Sequence, residues 1–220
     1  MKKLIIMFVV ALLAPQIIQA QGITTYLSNL GQPSTGNLAV GSDSWYAALF
    51  FTGGNASGYV LNSVQLAMTD DSGNPSGFTV MLYSSTLGTG AFPGSSLGTL
   101  DGSANPSTSS IYTYTSSGLT LAPSTPYFIV LTAGTTVANG SYEWSLAGID
   151  SYNPSGHWGV IQGVSSGVFD SNDGSFWHSI SRAYPQFAIN ATPIPEPSPS
   201  WLLLLGSGVL IYVRRVKKLA

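Results

Sequence analysis

The chain contains no cysteine. Disulfides, thiolate nucleophiles, iron–sulfur clusters and cysteine-type zinc sites are therefore excluded. Positive charge is nearly as scarce. Six of the seven Lys and Arg residues sit at the two ends: Lys2, Lys3, Arg214, Arg215, Lys217 and Lys218. Between Gln21 and Ile194 the only cation is Arg182. It faces eight acids: Asp43, Asp70, Asp71, Asp101, Glu143, Asp150, Asp170 and Asp173, a net charge of −7. Nucleic acid and anionic membrane surfaces are held by clustered Lys or Arg, so charge draws this body to neither. Neutral sugars and divalent cations remain open as partners. Helix formers are missing too: the body has no Lys and a single Glu.

Both ends read as addresses. Lys2 and Lys3 precede the apolar stretch Leu4–Ala14, Pro15 breaks it, and Gln19-Ala20 supplies a small residue at a cleavage point. This is the pattern of a secretory signal peptide, residues 1–20. At the other end a Pro-rich linker, residues 191–200, holds the box Pro195-Glu196-Pro197. Next comes an uncharged run, Trp201–Val213, 13 residues long. As a helix it reaches roughly 20 Å. A bilayer core is about 30 Å thick, so the span is marginal even with snorkelling cations. Gly206 and Gly208 weaken it further. A basic tail, residues 214–220, carries Arg214, Arg215, Lys217 and Lys218, a stop-transfer cluster that stays cytoplasmic. Such a segment suits a transient anchor better than a permanent one.

The body, residues 21–190, is expected to be one all-β domain, an antiparallel β-sandwich of jelly-roll-like kind. Short β-branched and aromatic runs alternate with turn clusters. Strands are predicted near Trp45–Thr52, Tyr59–Met68, Phe78–Tyr83, Ser96–Leu100, Ile111–Thr115, Tyr127–Thr132, Tyr142–Leu146, Trp158–Ile161 and Gln186–Ala191. Phe78, Val80 and Leu82 share a face, as do Tyr112 and Tyr114. The unbroken apolar run Tyr127–Leu131 predicts a central strand buried on both sides. Asp70–Gly77 predicts a turn, and Asp101-Gly102 and Asp173-Gly174 are hairpin-type dipeptides.

The tail resembles the PEP-CTERM sorting signal: Pro195-Glu196-Pro197, the apolar run and Arg214-Arg215 match that pattern. The body resembles the choice-of-anchor R domain. The matching stretches are Leu61-Asn62-Ser63-Val64, Gly77–Tyr83, Leu97–Gly102, Leu119–Pro123 with Thr125-Pro126-Tyr127, Tyr142-Glu143-Trp144 and Phe187-Ala188-Ile189. The resemblance implies export in a Gram-negative bacterium that makes exopolysaccharide. It implies transient residence in the inner membrane with the domain in the periplasm. An exosortase then processes the tail, and the protein is delivered to the outer surface or extracellular matrix. No enzymatic activity and no cofactor attach to that domain.

Other signals compete. Trp45, Trp144, Trp158 and Trp177 offer rings that stack on sugars, so a glycan-binding surface module is the alternative function. Gly163-Val164-Ser165-Ser166-Gly167 fits the nucleophile-elbow pattern of a serine hydrolase, with Asp170 or Asp173 and then His178 behind it. That elbow requires a helix after the turn, whereas Val168–Gly174 reads as a strand end and turn. His157 and His178 form no HExxH pair and are expected to have a structural or surface role. Asp70–Asn74 and Asp170–Gly174 resemble calcium loops but lack the bidentate Glu, so no metal site is assigned. The sequon at Asn55-Ala56-Ser57, like those at Asn139 and Asn190, carries no weight in a bacterium.

Overall fold

A computed structural model describes residues 22–86, 91–149, 151–160 and 167–196. The strands are β1 (Thr24–Ser28), β2 (Ser34–Val40), β3 (Trp45–Phe51), β4 (Tyr59–Gly73), β5 (Thr79–Thr86), β6 (Phe92–Leu100) and β7 (Ser110–Thr115). They continue with β8 (Thr120–Leu121), β9 (Pro126–Thr132), β10 (Gly140–Ala147), β11 (Val168–Ser171), β12 (His178–Ile180) and β13 (Phe187–Pro193). A single 3₁₀ turn, Val137–Asn139, is the only helical element among the described residues. Two antiparallel sheets pack face to face. One runs β1-β13-β4-β10-β2, with β7 and β8 also on β4; the other runs β12-β11-β3-β9-β5-β6.

The expected all-β sandwich is thus present, and its physics is clearest in β4. Tyr59 and Leu61 face the core, then Val64, Leu66 and Met68 do. That is a change of parity, which a regular strand forbids. A bulge supplies it: Ala191 pairs with Leu61 and Asn190 with Ser63, leaving Asn62 as the extra residue. Without it, one half of this 15-residue strand would turn its apolar side chains to the other face.

The strand β9 behaves differently. Tyr127, Ile129 and Leu131 point into the core between the sheets. Phe128 and Val130 point the other way, into a second cluster with Ala47, Leu49, Phe169 and Trp177. Both faces are buried, as the unbroken apolar run predicts. Each such side chain contributes about 1.5–3 kcal/mol on burial.

Several expectations need correction. Trp158–Val160 is not a strand; Gly159 makes only an isolated bridge to Phe51, and Ile161 lies outside the described residues. Residues 70–73 continue β4 rather than turning, because Ser72 and Gly73 pair with Ser141 and Gly140 of β10. Asp101-Gly102 is no tight hairpin: β6 and β7 belong to different sheets, and the chain crosses between them there. Residues 191–193 are not linker, since β13 keeps pairing with β4 as far as Pro193↔Tyr59. Local sequence does not predict strands β1, β2, β8 and β12, and of β11 it shows only a strand end. In β2 the sequence STGNLAV has little β propensity. It is a strand because β10 offers it a paired edge.

Candidate functional site

The described part of the tail is seated on the domain. Beyond Pro193, the Ile194 N–H donates to the Gly58 carbonyl at 2.9 Å. The Asn55 side-chain amide donates to the Ile194 carbonyl at 3.0 Å. The Ala56 N–H then donates to Oε1 of Glu196 at 3.1 Å. The receiving turn is built for this. Gly58 N–H bonds the Asn55 carbonyl at 2.8 Å, and the Asn55 amide also reaches the Gly58 carbonyl. Gly58 has φ +79°, and a Cβ there would lie 2.4 Å from the Leu121 carbonyl oxygen. Only glycine fits this turn. Pro197 and the basic cluster Arg214, Arg215, Lys217 and Lys218 lie outside the described residues, as does the run 201–213.

The four tryptophans are not a surface constellation. Trp144 is 0% exposed, and its Nε1–H donates to the Gln186 carbonyl at 3.1 Å. Trp158 is 3% exposed. It stacks on Tyr26 with centroids 4.8 Å apart and meets Tyr59 edge-on at 4.9 Å. Its Nε1 is buried without a partner. Trp177 is 7% exposed in the outer cluster of the six-stranded sheet. Trp45 is half-buried, its indole N–H bonded to the Ser42 carbonyl at 3.0 Å. The glycan-contact expectation therefore loses Trp144, Trp158 and Trp177, whose ring faces are already covered by protein. Among the described residues the exposed Phe, Trp and Tyr side chains are others, Phe176 and Phe92. Nothing in their sequence neighbourhood sets them apart from core residues.

The hydrolase constellation is not assembled by the described residues. Residues 163–166 lie outside them, and the chain after Gly167 enters strand β11, not a helix. Asp170 and His178 are cross-strand neighbours on β11 and β12. The exposed His178 ring lies edge-on to Phe176 at 4.9 Å. His157 occupies a turn with φ +65°.

One acid in each calcium-like loop accepts hydrogen bonds from the protein. Asp173 Oδ1 accepts from the Ser175 hydroxyl at 2.6 Å and its N–H at 2.9 Å. These bonds hold the Asp173 carboxyl below its ordinary range. Asp70 Oδ1 accepts the Ser109 N–H at 2.7 Å. Among the described residues no group of three His, Cys, Asp or Glu side chains converges.

Two shallow clefts adjoin Gln32. One, about 290 Å³, is lined by Ser28, Asn29, Ser151, Tyr152 and Asn153. The other, about 280 Å³, runs between Ser34, Thr69, Ile111 and Gln186. Gln32 lines both, and its Oε1 is a buried acceptor without a partner. Among the described residues no helix is long and apolar enough to cross a membrane. Compared with protein-family models, with curated proteins and with solved structures, the chain matches none.

Proposed function

We propose that this chain is a non-enzymatic, exported protein of the bacterial surface or extracellular matrix. In this reading residues 1–20 are a cleaved signal peptide and the body is a jelly-roll-like sandwich. Residues 201–213 form a single hydrophobic helix, and an exosortase recognises and processes the tail as a PEP-CTERM signal. The observation that carries it is the three-part tail: the box Pro195-Glu196-Pro197, a run too short for a lasting anchor, and the cluster Arg214, Arg215, Lys217 and Lys218. Association with exopolysaccharide is a consequence of that destination. The marginal span is consistent with a segment that is inserted once and then removed.

Glu196→Ala is the test. In a host with the matching exosortase, the variant should stay in the inner membrane with its tail attached, while its body stays folded. Delivery of Glu196→Ala to the surface at the wild-type level, with the tail removed, would sink the reading.

A second reading, a glycan-binding module, is favoured by one observation: the unpartnered Gln32 Oε1 beside two uncharged clefts, the first of them mainly polar. A buried acceptor without a donor is costly, and a sugar hydroxyl would satisfy it. Retention of the body on native exopolysaccharide should then fall with Gln32→Ala. Equal retention of both proteins, or none, speaks against it.

A further inference from the structure

The antiparallel pairing of β1 with β13 puts Thr24 opposite Ala191. The chain therefore enters and leaves the sandwich side by side. Each crossing point adjoins a sequence with membrane character, the leader before Thr24 and the apolar run after Glu196. Both lie at the Tyr59 end of β4, beside the Asn55–Gly58 turn.

Charge is sorted along the same axis. The segments at the exit end are 22–25, 52–58, 116–126, 153–158 and 191–196, and their only acid or Lys/Arg side chain is Glu196. At the other end of β4 lie Asp70 and Asp71. Asp43 is there too, bonded to the Val137 N–H at 2.8 Å, and so is Glu143, opposite Thr69. Asp170 pairs with Tyr46, near the far end of β3, and the loop carrying Asp173 packs Gly174 against Trp45. Asp101, at the sheet edge, bridges Thr115 at the level of Ser63 and, among the described residues, is the nearest acid to the exit after Glu196. Along β4 the separation of Tyr59 from Asp70 is about 36 Å. That is several Debye lengths at physiological salt, where one is about 8 Å.

The connection to the apolar run is short. Four residues, 197–200, separate Glu196 from Trp201. Fully extended, they let the two Cα atoms part by at most about 17 Å. The seated residues Ile194 and Glu196 add no slack, because they are bonded to the turn.

We infer that the sandwich stands end-on to the bilayer while it is anchored, with the Asn55–Gly58 end resting on the anionic lipid surface and the acidic end directed away. This rests on the anchor reading proposed above. The tether brings the exit end to the lipid headgroups, and with Glu196 as its single acid that end meets far less repulsion from an anionic leaflet than the rest of the body would. Lying sideways or inverted would bring Asp70, Asp71, Glu143 or Asp173 to the same surface. The orientation also keeps the Pro195-Glu196-Pro197 box at headgroup level, where a membrane-embedded processing enzyme reaches it.

The lack of cysteine makes the test clean. The whole chain, purified from membranes after leader removal, is reconstituted into phosphatidylethanolamine–phosphatidylglycerol vesicles containing a nickel-chelating lipid. Spin labels are placed through Ala56→Cys or Ser72→Cys, both exposed positions at opposite ends of the domain. Relaxation by headgroup nickel is expected at the Ala56→Cys label and lost at the Ser72→Cys label. Equal relaxation at both, in a chain that floats with the vesicles, overturns the end-on orientation and leaves the anchor intact. A chain that does not float overturns the anchor reading and the orientation with it.

Discussion

The two sheets treat their outer faces in opposite ways. On the seven-stranded sheet the outer face is a ladder of polar side chains bonded across strands. Thr25 donates to Asn190 at 2.6 Å, Asn190 to Ser63 at 3.1 Å, and Thr192 to Asn62 at 2.9 Å. Glu143 accepts from Ser141 at 2.6 Å and also from Asn37. On the six-stranded sheet the outer face is apolar, with Phe128, Val130, Ala47 and Leu49 buried under Phe169 and Trp177. One face is satisfied by hydrogen bonds, the other by removal from water. The first leaves an alternating sequence, the second an unbroken one.

Four measurements sharpen or break this contrast. Phe128→Ala should have the largest effect, because the ring is 0% exposed yet lies outside the main core. A loss of about 3–5 kcal/mol is expected in urea unfolding. A loss under about 1 kcal/mol would mean that this face behaves as solvated surface. Asn190→Ala is next. It removes an acceptor from Thr25 and a donor to Ser63 at a position 8% exposed. About 1–3 kcal/mol should be lost, and the polar ladder is ornamental if nothing is.

The third concerns the inner face that both sheets share. Tyr114 is buried, with its hydroxyl bonded to the Ser103 carbonyl at 3.0 Å. Burial, and then Tyr112 and Tyr142, push its pKa above the ordinary 10.0. The folded state thus favours the neutral phenol. Stability should be whole below pH 10, and it should fall as the pH rises past it, since the unfolded chain ionises first. The thermal midpoint, scanned from about pH 8 to about pH 12, should decline less steeply in Tyr114→Phe. Matching declines would place the alkaline sensitivity elsewhere. Thr113→Ala, on the solvated outer side of β7, should change stability by no more than about 0.5 kcal/mol.

This contrast also explains how much of the fold is legible in the residues. The strands with a regular pattern are legible: β5 and β7 through alternation, β9 through continuity. The edge strands β1 and β2 are not. Their Thr, Ser, Gly and Asn residues read as loop, and become strand only where β13 and β10 present free edges. The turn chemistry of Asp173-Gly174 is legible, and Gly174 does sit at φ +78° in the β11–β12 connection. The tryptophans mislead because aromatic residues serve surfaces and cores with the same chemistry. The seat for Glu196 is hidden by distance: Ala56 and Glu196 are 140 residues apart. Asn55-Ala56-Ser57-Gly58 reads as a meaningless sequon, though Asn with Gly three residues later is a turn signal.

By itself the sequence determined the class of the fold, the scarcity of cations in the body, and the three-part layout of the tail. Those are properties of composition and of neighbours along the chain. Only the tertiary structure decided which tryptophans are buried, that the sandwich's first and last strands open on one side, and that most of the described acids gather at the opposite end. The reason is that pairing and register join residues far apart in the chain. Thr24 meets Ala191, and Pro193 meets Tyr59, through strand pairing to which no local pattern points.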